Sequence, residues 1–363
     1  MQMKHPKLVA LLIIGDIVAV ILLLFWWMAQ PGFVDAAAWN PSKAPALAGA
    51  TSPNTALLEA RLIAQGKVWG PEDVAVDNAG RIYAGTQDGL IVRVDADGQV
   101  ETWVRTGGRP LGLDWDPQGN LIVADAYKGL LSIDPAGTVT VLTTGTEDGA
   151  FGFTDDVDVA SDGLIYFTDA SSKFGQGEYA LDLLEFRPHG SLLVYDPATG
   201  QTRRLLDNLY FANGVALSSD ESFLLVNETW KYRILRYWLK GERAGQHEVF
   251  IDNLPGFPDG VSGNGSGTFW VALPSPRKQD VDDMHASPWL KNIVAKLPKW
   301  MLPKAIEYGL VLALDEQGNI IASYHDPDGK HLQEITSVEE HQGSIYLGSL
   351  GNDRIGQLKL KPR

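Results

Sequence analysis

The chain repeats itself, and the repeat restricts it to few architectures. Six segments can be laid over one another. They are PEDVAVDNAGRIYAGT from Pro71, PLGLDWDPQGNLIVAD from Pro110, TDDVDVASDGLIYFTD from Thr154, ANGVALSSDESFLLVNE from Ala212, PDGVSGNGSGTFWVAL from Pro258 and ITSVEEHQGSIYLGS from Ile335. Each reads as a short alternating strand, a turn bearing Gly, Asp or Ser, and a more apolar strand. Two further strand-like runs follow most of them, such as LIVRVDADGQVETWV after the first and GLLSIDPAGTVTVLT after the second. Four strands per unit and six units predict an all-β, six-bladed β-propeller. One such unit cannot bury its own faces, so the units must stack around an axis.

The repeats are anchored by Val74, Leu113, Val157, Val215, Val261 and Val338. Most anchors lie roughly 40 to 46 residues apart, an ordinary blade length. Two intervals are longer, with extra chain near 171–189 and 275–308. Propeller insertions emerge as loops on one face, commonly the binding face. The later one contains HASPWLKNIVAKLPKWMLP from His285. Its Ser-Pro pair signals a helix start, and Trp289, Ile293 and Leu297 recur near one helical face. This predicts a helical lid over the propeller. The alternatives are an apolar substrate wall and, with Lys291, Lys296, Lys299 and Lys304 nearby, a membrane-lying helix.

Two positions before the anchors stand Glu72, Leu111, Asp155, Asn213, Asp259 and Thr336. Equivalent repeat positions are equivalent in space, so these residues are expected to ring the mouth of the central channel, just ahead of each innermost strand. Four of them, Glu72, Asp155, Asn213 and Asp259, offer oxygens of the kind hard cations prefer. Three carboxylates converging on an axis need a countercharge or a proton. A bound Ca²⁺, which accepts six to eight oxygens in flexible geometry, meets that need. Asp95, Asp97, Asp116, Asp134, Asp162, Asp196 and Asp220 read instead as ordinary turn residues.

A net charge of -15 excludes the basic footprint that nucleic-acid binding requires. With Cys at 0, disulfides, thiolate nucleophiles and cysteine metal sites are excluded as well. Residues 1–30 are expected to hold a cytoplasmic stub and a single-pass anchor. The run LVALLIIGDIVAVILLLFWWMA from Leu8 to Ala29 carries one charge, Asp16, and is long enough to span a bilayer. Lys4 and Lys7 precede it and no basic residue follows until Lys43. The N-terminus is therefore expected in the cytoplasm and the propeller in the periplasm, lumen or extracellular space. A cleaved signal peptide ending near Ala36-Ala37-Ala38 is the competing reading. Residues 31–57 read as a linker and 58–363 as the propeller.

GPED around Glu72, VADAYKGLLSIDP, FTDDVDV, IYFTDASSKF, FANGVAL, LPGFPDG, SPRKQDVDDMHASPWLK and SYHDPDG resemble the strictosidine-synthase-like family. That family sits in a wider group with the paraoxonases and the gluconolactonase/senescence-marker proteins. The resemblance implies a six-bladed propeller with calcium on its axis, held at the positions of Glu72, Asp155, Asn213 and Asp259. It also shows departures. The Asp155 position is usually Asn. The catalytic Glu of strictosidine synthase is matched by Thr336, which disfavours that condensation, and a paraoxonase ring His is matched by Leu111. His325 reads as a turn residue, and His341 as a strand or turn residue.

The function expected from ring and resemblance together is a calcium-dependent ester or lactone hydrolase acting on a small, apolar substrate. The metal would polarise the carbonyl and stabilise the oxyanion. Bound calcium acidifies water only modestly, so a carboxylate base is wanted. Asp156 is the first candidate, with Asp259 as the second catalytic residue and Glu72 or Asp155 behind. Trp230, Tyr232 and Tyr179 are candidates for the pocket wall. The alternatives are a binding or scaffold propeller that uses calcium only for stability, and a strictosidine-synthase-like lyase.

Overall fold

The computed structural model describes residues 6–30 and 32–361, leaving out the side chains of residues 6–10, 17, 21, 24–27 and 29. Six four-stranded antiparallel sheets form the six blades of a propeller. Five blades use four consecutive strands each, while the sixth has the order Arg61–Ile63, Ile355–Lys359, Ser344–Ser349, Ile335–His341. Its outermost strand therefore comes from the start of the propeller, and Arg61, Leu62 and Ile63 pair with Gln357, Gly356 and Ile355. Joining the first and last strands in one sheet closes the ring of blades.

The first strand of each blade lies innermost and touches the first strands of its neighbours. Close approach at these seams demands small residues. A Cβ on Gly112 would come within 2.6 Å of the Asp156 Cα, and one on Gly260 within 2.4 Å of the Thr336 carbonyl oxygen. Between the blades lie apolar layers such as Ala75, Tyr83, Ile91, Leu113, Leu121, Val123 and Leu131. Both faces of the middle strands are buried, as the continuous apolar runs required.

The insertions supply three short helices. Helix α2 (Tyr179–Glu185) comes from the first, and α3 (Gln279–Met284) and α4 (Pro288–Val294) come from the second. The expected helix start is correct, with Ser287 as N-cap accepting from the Leu290 amide. The expected buried face is not. Trp289 is 66% exposed, whereas Lys291 is fully buried and donates to the Ala37 carbonyl at 2.5 Å.

Of the expected linker 31–57, residues 32–57 have little regular structure but are docked. The Ala37 amide donates to the Glu185 carbonyl, the Trp39 amide to the His285 carbonyl, and Leu57 is fully buried. The Trp39 ring stacks on Phe186 at 4.5 Å.

Helix α1 (Pro6–Ala29) has 24 residues. Among the described residues no helix is long and apolar enough to cross a membrane. The helix expected at the N-terminus is present, but its membrane span is not supported by the structure. Lys4 and the rest of the stub before Pro6 lie outside the described residues.

Candidate active site

The six ring residues sit where the inner strands meet the axis. Glu72 and Asp259 precede their strands, but Leu111, Asp155, Asn213 and Thr336 are each the second residue of theirs. The expectation that all six precede a strand is corrected by a recurring irregularity. The pairing register shifts between Pro110 and Leu113, Thr154 and Val157, Ala212 and Val215, and Ile335 and Ser337. A bulge at that point re-aims one side chain without ending the strand.

Glu72, Asp155, Asn213 and Asp259 are all buried and line one cavity. The carboxyls feel one another. Burial, then Asp259 and Asp155, hold the Glu72 carboxyl well above its usual range. Burial and Asp259 do the same to Asp155, and burial pushes Asp259 up to about 7 despite a hydrogen bond from Asn213. Among the described residues no group of three or more His, Cys, Asp or Glu closes into a metal-holding cluster. One donor of this set, Asn213, is an amide. Asp155 Oδ2 is buried with no hydrogen-bond partner among the described residues. An unpaired carboxyl oxygen among hard-oxygen donors is the chemistry a calcium ion would satisfy.

The other two ring positions are not donors to the axis. Leu111 contributes apolar wall. The Thr336 hydroxyl donates to the Glu72 carbonyl at 2.6 Å, tying blade six to blade one. Arg109, which the sequence reading missed, is buried close enough to lower the Glu72 and Asp155 carboxyls and donates to the Gly70 carbonyl. The RPLG stretch gives no signal of this, because its neighbours come from another blade.

Two cavities meet at the ring. The upper one, of about 150 Å³, is walled by Leu111, Phe153, Tyr179, Leu183, Phe211, Trp230, Phe257 and Val281. Helices α2 and α3 roof it, and buried polar contacts hold the roof. Asp182 accepts from the Trp230 indole at 2.8 Å and from the Ser171 hydroxyl at 2.5 Å, and Asp282 accepts from the Tyr232 hydroxyl and Arg277. Trp230 and Tyr179 thus line the cavity as expected, whereas Tyr232 locks the lid from behind.

The lower cavity, of about 140 Å³, is the channel itself, lined by Asp73, Asp114, Asp156, Asp158 and Glu339. The four Asp residues stitch the blades. Asp73 accepts from the Leu113 amide at 2.7 Å, Asp114 from Val159 at 2.8 Å, Asp156 from Val215 at 2.9 Å and Asp158 from Leu217 at 2.7 Å. In each case a carboxylate of one blade satisfies an unpaired inner-edge amide of the next. Asp155 and Asp156 therefore have separate tasks, one facing the axial ring and the other sealing a blade seam. Asp156 does not line the upper cavity, and the Val157 and Val215 amides occupy its two oxygens. Its geometry is that of a structural acceptor.

Asp116, Asp134, Asp162, Asp196 and Asp220 cap turns by accepting nearby amides, as expected. His325 lies in the strand Ile320–Asp326, where it bonds Tyr308 and Ser323, and not in a turn.

The fold is thus a closed six-bladed propeller with a carboxylate ring under a roofed apolar cavity. Among solved structures the chain is similar to a gluconolactonase of Xanthomonas campestris, at TM-score 0.61 and 18% identity over 92% of this chain and 99% of that one. It is also similar to a calcium-binding protein, regucalcin, of Agrobacterium tumefaciens, at TM-score 0.60 and 16% identity over 82% and 93%. At these identities the likeness concerns the fold alone. Sequence relatives are more specific. Family models described as strictosidine synthase and strictosidine synthase-like, N-terminal, match residues 155–242 and 49–94. The chain is 37% identical over 342 residues to adipocyte plasma membrane-associated protein of Homo sapiens, covering 87% of this chain and 82% of that one. It is 41% identical over 312 residues to protein STRICTOSIDINE SYNTHASE-LIKE 6 of Arabidopsis thaliana, covering 84% and 82%. The chain belongs to the strictosidine-synthase-like family.

Proposed function

We propose that this protein is a calcium-dependent hydrolase of apolar esters or lactones. The observation that carries this reading is the Glu72, Asp155, Asn213 and Asp259 oxygen set on the floor of an apolar, aromatic-walled cavity. Those four residues would hold the ion, and Asp155 Oδ2 is the oxygen left for it by the protein's own hydrogen bonds. When bound, calcium supplies Lewis-acid polarisation of a carbonyl. The protein's share is to orient and dehydrate. Phe153, Phe211, Trp230 and Phe257 pack an apolar acyl or aryl group, and the α2 and α3 roof limits water. Thr336 at the sixth ring position, with its hydroxyl already engaged, supports hydrolysis over a strictosidine-synthase-like condensation. The test is an ester and lactone screen with calcium and with chelator, beside Asp259→Ala. Turnover with calcium that is lost in chelator and in Asp259→Ala supports the reading. A calcium-dependent melting temperature without turnover supports a calcium-stabilised scaffold.

The N-terminal helix is proposed as a membrane anchor, on the apolar run Leu8 to Ala29. Lys296 of the late insertion donates to the carbonyls of Met28 at 3.0 Å and Gln30 at 2.5 Å, fixing the end of α1 beside α4. Trp289 and Trp300, 66% and 72% exposed, lie on the same insertion and suit a bilayer interface. Carbonate-resistant pelleting of the full chain, lost on deleting residues 8–29, tests this.

A further inference from the structure

We propose that Glu334 is the general base of this site, an inference that rests on the hydrolase reading. Glu334 lines the same upper cavity as Glu72, Asp155, Asn213 and Asp259. It stands two residues before the sixth ring position, in a loop that the repeat alignment leaves outside the inner strand.

Three observations single it out. Its backbone is held in the left-handed region at φ 46°, a conformation an ordinary residue adopts at a cost. Its amide donates to the Tyr308 carbonyl and its carbonyl accepts from the Leu350 amide, both at 3.2 Å, so this geometry is fixed. The carboxylate, by contrast, has no hydrogen bond or ion pair among the described residues. Burial and then the Glu307 charge raise its pKa. Finally, the chain leaves room for it. A Cβ on Gly351 would stand 2.7 Å from Glu334 Oε2 and 3.0 Å from its carboxyl carbon.

The cavity around it completes the arrangement. The Tyr179 hydroxyl, on the roof helix, is raised by burial and then by both Glu334 and Asp259, which places these two acids within electrostatic reach of one side chain. Lys278 and Lys304 line the same cavity. Asp156 offers none of this, since its oxygens are engaged below the ring.

Glu334 takes a proton from water as the water oxygen bonds to the carbonyl carbon. The tetrahedral intermediate then breaks its bond to the leaving oxygen, which receives that proton back from the Glu334 carboxyl. Ester and water become acid and alcohol, with Glu334 regenerated.

The test uses the full chain as wild type, Glu334→Gln and Gly351→Ala. In Glu334→Gln, kcat on an aryl ester should fall by about 10²- to 10⁴-fold with KM, melting temperature and calcium binding kept, and the acidic limb of the pH profile should vanish. Gly351→Ala displaces the carboxyl without removing it, so its kcat should fall by about tenfold and its acidic limb should persist. Independently of turnover, dicyclohexylcarbodiimide, which modifies protonated carboxyls in apolar surroundings, should label Glu334 in the wild type. Labelling should be blocked by an aryl ester filling the cavity. Wild-type turnover with Glu334→Gln within threefold of it, or a Glu334 that resists labelling, overturns the assignment and leaves the hydrolase reading standing. No wild-type turnover of any ester or lactone overturns both.

Discussion

Asp156→Ala should weaken the fold at the seam between blades three and four. Asp156 Oδ1 accepts from the Val157 amide at 2.8 Å and Oδ2 from the Val215 amide at 2.9 Å. Truncation leaves two inner-strand amides unpaired, at about 1–3 kcal/mol each. Part of this loss is offset. Burial and the neighbouring Asp73 and Asp155 already hold the Asp156 carboxyl well above its usual range, so removing it relieves a repulsion. Water in the channel can also reach one amide. The net expectation is about 2–4 kcal/mol of destabilisation. In a domain of this size that corresponds to a melting temperature lower by about 4–10 °C. Asp156→Asn keeps one acceptor and should lose about half as much. Thermal melts in saturating calcium, with hydrolysis measured on folded protein, provide the assay. If Asp156→Asn melts like wild type but loses hydrolysis by more than about 100-fold, Asp156 acts on the reacting atoms and the seam argument is wrong.

Other expectations concern the ring, the roof and the start of the chain. Calcium should raise the wild-type melting temperature, read by differential scanning fluorimetry, and Asp259→Ala should abolish that rise. In chelator, stability should fall as pH rises from about 4 through 7. The folded carboxyls of Glu72, Asp155 and Asp259 are raised, Asp259 to about 7, so the folded state binds protons the unfolded state has released. That stabilisation is complete below the unfolded carboxylate range and lost above the folded one, and calcium should flatten the curve. Asp182→Ala leaves the Trp230 indole and the Ser171 hydroxyl without their acceptor, so urea unfolding should show a loss of about 2–4 kcal/mol. A chain beginning at Leu58 should melt below one beginning at Gly32, because the first omits Val34, Trp39 and Leu57, which pack on the propeller and its roof.

The six-fold repeat was legible because each blade must present the same alternation to the same neighbours. The register of Glu72, Asp155, Asn213 and Asp259 was legible for the same reason, since a position two before each anchor reaches the axis in every blade. The sequence could not divide labour between neighbouring acids. Asp155 and Asp156 differ by one residue, and the strand pleat with its bulge sends one to the ring and the other to a seam. Helical periodicity likewise pointed to Trp289 as the buried residue of α4. Tertiary contacts reversed this by giving Lys291 the Ala37 carbonyl and the Phe186 face, partners some 250 residues and 100 residues away in the chain. Arg109 and Glu334 were invisible for a related reason. The role of a buried or half-buried charge is defined by what surrounds it, and their surroundings come from other blades and from the loop at Gly351. Repetition in the sequence determined the architecture and the ring of oxygen donors, because equal spacing around an axis is a local, periodic property. Which carboxylate is bonded, which is left free and which faces the apolar cavity was decided only by the tertiary structure, because hydrogen-bond satisfaction depends on non-local neighbours.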